Sequence, residues 1–445
     1  MGENEEPKKW HAIFGSAGMA AAGMMSRSQT RKGGRKLSVP QLPAESSGQP
    51  AESDDVAVVE ERFGSDPQEN SGSPSPYSGW RAAVVGNSRG GGYGHAMDTM
   101  FQRLDGVRLF GLADLDESGL EKSLLRAGAT SGYSHLTALL EAESPDFISV
   151  ASSSTSNRRS LLKEAMEAGV HVICEAPLAR TLKEADEIRE IETATQTRLA
   201  VRYPMRLDPG LIQFQRELES WIGTLVEIRT WGACDETSGG EDLLLHGVPL
   251  FDLVRWFAGE VSYCTASISK DGIAAIAEDA HESATTDLGL LLGDTIHAEF
   301  VMDRGIRVSF TSDPRHRDSL GPAGMEFVGT KSRMRLFAGS RPVLSLLKPS
   351  APAHADRSEV WESWPQSGQG QVDSVESAEA IDAGNRLLSV NWIEAINEGA
   401  DPVASSLNAT KALEMAHGIW QAGVTMKRAY FPLVNRLHPL SEESQ

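Results

Sequence analysis

The amino-acid sequence predicts an N-terminal α/β domain with a parallel sheet, followed by a strand-rich α+β domain. Three observations lead to this fold class. Strand-like and helix-like segments alternate between residues 79 and 204, as they do in βαβ units. A glycine-rich loop follows the first of these strands. Beyond residue 225, strand-like segments succeed one another until two helix-like segments close the chain.

The first element is a strand that ends in the glycine-rich loop. The apolar run Ala82–Val85 stops at Gly86, and a helix-like segment then spans His95–Leu104. A second apolar run, Val107–Ala113, ends in Asp114. Glycines let a backbone approach a pyrophosphate closely, and a following helix directs unpaired N–H groups toward that anion. Because a carboxylate at the tip of the second strand can accept hydrogen bonds from a ribose, this order of elements predicts a dinucleotide site.

The predicted cofactor-binding residues of this segment are Gly86, Ser88, Arg89, Gly91, Gly94 and Asp114. A phosphate-binding P-loop is excluded, because Gly91 is followed by Gly92 rather than by Lys and then Ser or Thr. A flexible glycine-rich turn is the alternative, since Ser88 and Arg89 interrupt the strict G-x-G-x-x-G pattern. The acidic Asp114 favours NAD over NADP because it would repel a 2′-phosphate, although Arg89 leaves NADP open.

The later strands of the first domain place three more loops at the same edge of the sheet. Strand-like segments at 146–151, 170–174 and 198–203 alternate with helix-like segments at 157–168 and 182–193. Ligands of parallel sheets gather at the carboxyl ends of the strands. Loops 152–157, 175–178 and 203–206 are therefore expected beside the glycine-rich loop.

Composition limits the class of partner and the compartment. The chain has 445 residues and a net charge of −20, which argues against a nucleic-acid partner because phosphates would be repelled. Its three cysteines show neither C-x-x-C pairing nor zinc-ligand spacing, so we expect buried thiols, a reducing compartment and no metal. No apolar stretch reaches the roughly 18 residues of a membrane span. We therefore expect a cytoplasmic protein without a membrane partner.

Residues 1–78 are predicted to be a disordered N-terminal extension. Residues 1–40 carry seven Lys or Arg against three Glu, and residues 41–78 carry one Arg against eight acidic residues. Such a segment buries too little apolar surface to offset its chain entropy. Export is the alternative, because residues 12–25 are mildly apolar and follow Lys8-Lys9. The acidic start and the glycines within the apolar run count against it.

A five-residue motif carries a resemblance to a known family. Residues 174–178 read CEAPL between a strand and a helix, which resembles the CEKPL signature of the Gfo/Idh/MocA oxidoreductases, the family of glucose–fructose oxidoreductase and inositol dehydrogenase. The likeness runs from about Trp80 to Leu440. It includes the loop 86–95 and the segments 239–243, 251–255, 326–331 and 431–440.

The resemblance implies a Rossmann domain at 79–204 and an α+β domain at 205–440 with a large, open, mostly antiparallel sheet. That sheet commonly packs against another subunit, which implies a homo-oligomer. A small-molecule substrate, such as a sugar or polyol, is also implied, with Glu175 and Pro177 shaping the loop beside the cofactor. The strand-like segments 225–231, 263–268, 286–292, 297–302 and 306–311 and the helix-like segments 386–398 and 409–428 agree with this second domain.

Three titratable groups that the family uses are replaced in this chain. The resemblance places Ala176 at the position of the signature lysine. It places Leu245 and Pro249 at the aspartate and histidine positions of an Asp-x-x-x-His pair. Alanine, leucine and proline cannot move a proton, so the chemistry of a dehydrogenase needs other groups.

Three interpretations follow. In the first, the protein is an enzyme with relocated groups, and His246 is the candidate general base because it lies three residues before Pro249. In the second, the protein keeps the cofactor site and acts as a non-catalytic sensor or regulator. In the third, it is a scaffold that uses the face of its sheet; the glycine-rich loop and Asp114 count against this.

Candidate substrate residues accompany His246, each with a structural alternative. Glu241 and Asp242 would hold substrate hydroxyls, or would cap a helix. Arg206 would bind a substrate carboxylate, or would form a salt bridge at a helix start. Arg158 and the arginine after it would bind an anion, or would form a solvated helix start. His246 itself would otherwise be a packed loop histidine.

Overall fold

The computed structural model describes residues 79–89, 92–102, 104–283, 286–347, 360–364 and 377–442. All of them belong to one compact unit. The predictions made for residues 1–78 and for Gly91 lie outside the described residues. The domain limits at 78, 204 and 440 stay predictions.

The first sheet is parallel, as predicted. Its strands are β1 (Trp80–Gly86), β2 (Val107–Asp114), β3 (Ser131–Tyr133), β4 (Phe147–Val150), β5 (His171–Cys174) and β6 (Leu199–Val201). The order is β3-β2-β1-β4-β5-β6, and every pairing among them is parallel. The helices α1 (Leu120–Ala127), α2 (Leu136–Glu143), α3 (Arg158–Glu167) and α4 (Leu182–Thr195) alternate with the strands. Strands β4 and β6 are buried at every residue, which is typical of a parallel sheet covered on both faces.

The segment after the glycine-rich loop differs from the predicted helix. Its described residues form successive turns, in which Thr99 N–H donates to Ala96 O and Gln102 N–H donates to Thr99 O. Ala96 has a φ of 53°, a left-handed conformation that interrupts a right-handed helix. Met97 and Phe101 are nevertheless buried, so the segment still covers the sheet.

The second sheet is large and mostly antiparallel, as predicted. Its described strands are β7 (Leu225–Trp231), β8 (Val261–Lys270), β9 (Ile273–Ala274), β12 (Thr295–Met302), β13 (Arg307–Ser312), β14 (Gly324–Gly329), β15 (Arg333–Phe337), β16 (Val343–Leu347), β17 (Trp361–Ser363) and β18 (Ala429–Tyr430). The pairing of β13 with β7 is parallel, and the others are antiparallel. The order is β17-β16-β15-β14-β7-β13-β12-β8-β18, with β9 beside β8.

The predicted strand at 286–292 is the exception. Only β11 (Leu290–Leu291) forms there, and it pairs with β10 (His281–Glu282) outside the large sheet. Gly289 and Gly293 have φ angles of 87° and 79°, so the backbone bends on both sides of β11.

The helices of the second half are α5 (Pro209–Ile222), α6 (Gly240–Asp242), α7 (Val248–Ala258), α8 (Arg317–Leu320), α9 (Ala378–Glu398) and α10 (Ser406–Thr425). Helix α10 packs against α7 and β8 of the second half and also against α4 of the first. It thereby connects the two halves of the described chain. Within the described ranges, every helix is too short or too polar to cross a bilayer.

Candidate active site between the two sheets

A cavity of about 400 Å³ lies where the two sheets meet. Its walls come from the loops after β5 and β6, from segment 244–249, and from the ends of β14 and β15. Ala176, Leu245 and Pro249 all line it. The three positions that lack titratable groups therefore face one space, and they make its wall mainly apolar.

His246 lines this cavity from the second domain. It lies in one turn of π-helix, Leu243–Gly247, directly before α7. Its Nδ1 atom is 2.8 Å from Asp242 Oδ1, and 37% of its side chain is exposed. The predicted histidine is therefore held by a carboxylate on one side and open to the cavity on the other.

Asp242 is fully buried and is committed to protein donors. It accepts hydrogen bonds from Ala233 N–H at 2.9 Å, Cys234 N–H at 3.3 Å and the Ser312 hydroxyl at 2.5 Å. Because this carboxylate acts as an acceptor, Nδ1 of a neutral His246 carries the proton, and in that form Nε2 is an acceptor. That Asp242 binds substrate stays a prediction; its contacts in this structure are with protein groups, and one of them orients the His246 ring.

His95 is a second histidine of the cavity, and sequence reasoning missed it as a site residue. Its backbone N–H donates a hydrogen bond to Glu175 Oε1 at 2.7 Å. Its ring Nδ1 lies 2.8 Å from the same oxygen. Glu175 Oε2 accepts from Ala176 N–H at 3.0 Å. Burial alone would raise the pKa of Glu175, but the His95 hydrogen bonds and the charge of Arg202 outweigh it and lower the pKa to about 2. Glu175 is therefore an ionised anchor for His95.

A hydrogen-bond network fixes the wall beside His95. Asn385 on α9 donates to His95 O at 2.8 Å and accepts from Arg202 Nε at 3.1 Å. Arg202 also donates to the Ser340 hydroxyl at 2.6 Å. Nothing in the sequence around Asn385 signals this role, because its partners are distant along the chain.

Asp114 does not form the open rim that was predicted. It is fully buried and lies opposite Gly86 in the register of β1 and β2. Its Oδ1 accepts from Ser88 N–H and Asp116 N–H, both at 3.0 Å. Its Oδ2 accepts from the hydroxyls of Tyr93 at 2.8 Å and Ser123 at 2.9 Å. A carboxylate offers about four lone-pair positions, so the protein itself occupies all of them.

Tyr93 fills the space above the first glycine. A methyl group on Gly86 would lie 2.3 Å from Tyr93 Cε1, and one on Gly94 would lie 2.3 Å from Glu175 Oε1. The hollow predicted for a pyrophosphate is thus packed with side chains. The residue types still suit a dinucleotide, because an ionised carboxylate that accepts the Tyr93 hydroxyl could equally accept a ribose hydroxyl. Binding requires the Tyr93 ring to turn away.

Three further predicted site residues have structural partners. Arg206 forms a salt bridge with the buried Asp252, with Nε 2.8 Å from Oδ2. Glu241 Oε2 accepts from the Ser283 hydroxyl at 3.3 Å and lies outside the cavity wall. Arg89 is exposed, and its Nε lies 3.5 Å from Asp116 Oδ2.

Arg158 is fully buried rather than solvated or free to bind an anion. Its guanidinium donates to the carbonyls of Glu175 and Ser152, both at 2.6 Å, and to the carbonyl of Pro177. It therefore braces the loop that carries Ala176 against the loop after β4.

Comparison with known proteins identifies the first domain. Residues 80–203 match the model of an oxidoreductase family with an NAD-binding Rossmann fold, Gfo/Idh/MocA. The chain is 26% identical over 343 residues to a D-apiose dehydrogenase from Paraburkholderia graminis, an alignment covering 71% of this chain and 81% of that protein.

Solved structures share the whole two-domain fold. A levoglucosan dehydrogenase in complex with NADH and levoglucosan is 16% identical, with a TM-score of 0.61, and the match covers 80% of this chain and 100% of that one. A myo-inositol 2-dehydrogenase from Lactobacillus plantarum is 20% identical, with a TM-score of 0.57, and the match covers 79% and 99%. At these identities the likeness establishes the fold.

Proposed function

We propose that this chain, a member of the Gfo/Idh/MocA oxidoreductase family, is an NAD-dependent dehydrogenase of a sugar, polyol or related hydroxy compound in which His246 moves the proton. One observation carries the proposal. His246, oriented by a buried carboxylate, faces the same cavity as Ala176, Leu245 and Pro249. A titratable group therefore stands close to the positions that lack one.

Oxidation of a carbinol removes a hydride from its carbon and a proton from its oxygen. A bound nicotinamide cofactor supplies the hydride acceptor for the carbon. The hydroxyl proton has to leave the oxygen at the same time, and Nε2 of His246 is available to accept it. Asp242 holds the ring so that this nitrogen faces the cavity, and it stabilises the imidazolium that forms.

The chain's own residues would hold the cofactor at the edge of the first sheet. Gly86 allows a close backbone approach and Asp114 binds the ribose once Tyr93 has turned away from both, whereas the space above Gly94 is taken by Glu175. Asp114 and Asp116 both lie at this edge, which favours NAD, whereas the exposed Arg89 keeps NADP as the alternative.

The substrate class rests on the relatives and on the cavity. The similar proteins include D-apiose, levoglucosan and myo-inositol dehydrogenases. A cavity with a mainly apolar wall and a few polar groups suits a small neutral molecule with several hydroxyls. His95, His246 and Ser340 are the polar side chains that would meet those hydroxyls.

We further propose that the protein is a cytoplasmic homo-oligomer. The family resemblance implies assembly through the second sheet, and its described outer face exposes Val226 and Glu299. Sedimentation equilibrium of the full chain should give a mass that is a multiple of the monomer mass. A monomer at micromolar concentration would contradict this part of the proposal.

A non-catalytic cofactor sensor is the second candidate. The observation that favours it is the hydrogen bond from the Tyr93 hydroxyl to Asp114. This bond keeps the Tyr93 ring in the space above Gly86 where the cofactor would bind. A sensor needs a conformational difference between its free and bound states, and displacement of Tyr93 would supply one. A scaffold without any ligand is the third.

Purified full-length protein separates these candidates in one set of assays. NADH fluorescence titration measures cofactor binding, and NADH formation on a panel of sugars and polyols measures turnover. Binding with turnover supports the dehydrogenase. Binding without turnover supports the sensor, and no binding leaves the scaffold.

A further inference from the structure

We infer that His95, held by Glu175, binds and orients a second hydroxyl of the substrate at the place where the family has its lysine. This inference rests on the proposed function. It makes His95 a specificity-determining residue that distinguishes a polyhydroxy compound from a simple alcohol.

The location comes from the contacts of Glu175. Its Oε2 accepts from Ala176 N–H at 3.0 Å, while its Oε1 holds the His95 ring at 2.8 Å. His95 and Ala176 both line the cavity, and the one carboxylate of Glu175 contacts both residues. The imidazole is therefore a polar group of the cavity wall near position 176.

The ring is anchored on one edge and open on the other. The side chain of His95 is 49% exposed, whereas that of Glu175 is only 3% exposed. Gly94 makes the anchoring possible, because a methyl group there would lie 2.3 Å from Glu175 Oε1. With Nδ1 committed to the carboxylate, Nε2 faces the cavity.

The charges around His95 fix its tautomer. Glu175 at the end of β5 is ionised and acts only as an acceptor, so Nδ1 of a neutral His95 carries the proton and Nε2 carries the lone pair. Arg202 after β6 faces Glu175, Asn385 on α9 holds the His95 carbonyl, and His246 faces the same cavity. In the neutral ring Nε2 is therefore a hydrogen-bond acceptor, which suits a hydroxyl donor.

Nε2 of His246 and Nε2 of His95 would then contact the same substrate molecule. His246 accepts the proton of the reacting hydroxyl, and His95 accepts a hydrogen bond from another hydroxyl without taking its proton. A site built to bind a hydroxyl rejects analogues that lack it, because its own acceptor is left unpaired.

The test is a kinetic comparison of His95→Phe with the wild type, on a polyol that the wild type oxidises. Phenylalanine keeps the ring but removes both nitrogens. We expect kcat/KM to fall about tenfold or more, mainly through KM, with the NADH dissociation constant within about threefold of the wild type. Glu175→Gln, which weakens the anchor, should give an intermediate loss. His135→Phe changes an exposed histidine at the start of α2 and should leave both constants unchanged.

Each outcome decides the inference. If His95→Phe has the kcat/KM and the NADH dissociation constant of the wild type, the inference is overturned and the proposed function stands. A loss of NADH binding in that variant also overturns the inference. If the wild type oxidises no compound of the panel, both the proposed function and this inference fail. Should His95→Phe not fold, His95→Asn keeps a donor for Glu175 but is too short to reach the substrate, and it should show the same rise in KM.

Discussion

The Asp114 carboxylate has the charge that a ribose-binding residue needs, but all its hydrogen-bond partners are groups of the protein itself. Burial raises its pKa, but the Ser88 and Asp116 N–H groups and the hydroxyls of Tyr93 and Ser123 outweigh this effect, and the net pKa is lowered. The carboxylate is therefore ionised at neutral pH, as a ribose site needs. Its acceptor positions are nevertheless taken by the protein.

Tyr93→Phe should tighten NADH binding. The variant removes the hydroxyl that holds the ring on Asp114 and competes with a ribose there, so the ring turns away more readily. A hydrogen bond to a charged group contributes about 1.5 kcal/mol or more, so we expect the dissociation constant to fall about tenfold. Fluorescence titration measures it.

Tyr133→Phe is the matched control, because that hydroxyl also donates to a carboxylate, Glu143, at 2.8 Å and lies away from the glycine-rich loop. It should leave NADH affinity unchanged. Weaker binding in Tyr93→Phe would contradict the competition between Tyr93 and the cofactor.

At the scale of elements, Arg158 in the first turn of α3 supports the loop after β5 that lines the cavity. Arg158 links the loops after β4 and β5 through their carbonyl groups. A side chain that satisfies several buried carbonyls is more costly to lose than one that forms an exposed ion pair. Its neighbour Arg159 makes only a partly exposed salt bridge with Glu187.

Arg158→Met should therefore destabilise the protein by roughly 3 kcal/mol, because buried carbonyls lose their donors. Arg159→Met should cost less than about 1 kcal/mol. Urea unfolding monitored by tryptophan fluorescence gives both values. Equal losses in the two variants would show that Arg158 does not brace the loops.

The elements also show what the sequence can and cannot predict. The alternating strands and helices and the strand-rich second half follow from local patterns, whereas the mostly antiparallel sheet and the candidate His246 came from the family resemblance. His95 and Glu175 lie 80 residues apart, and Asn385 lies 290 residues from His95, so no local pattern pairs them. The substrate role of Arg206 stays a prediction; its salt-bridge partner Asp252 lies 46 residues away, so no local pattern pairs these two either.

At the scale of the whole molecule, buried histidines link stability to pH. Burial lowers the pKa of His171 and of His438 to about 4, and it lowers that of His417 well below its ordinary value of 6.5. The unfolded chain binds protons below about pH 6.5, whereas the folded chain resists them until about pH 4. The contribution of these three histidines to the free energy of unfolding is therefore fully present above pH 6.5, and it is lost as the pH falls toward 4.

Urea unfolding at several values between pH 7 and 4.5 should show this loss, at up to about 1.4 kcal/mol per pH unit for each histidine. His417→Leu should flatten the slope by about a third, because it removes one of the three groups. The exposed His135→Leu should leave the slope as it is. A stability that does not change over this range would contradict the burial of these rings.

The most direct measurement of the central claim is the turnover of His246→Gln, with cofactor binding measured on the same protein. Glutamine keeps a donor for Asp242 but cannot accept a proton at neutral pH. We expect kcat to fall at least about 100-fold while the NADH dissociation constant stays near that of the wild type. A variant that turns over at the wild-type rate would show that another group moves the proton, and the assignment of His246 would fail.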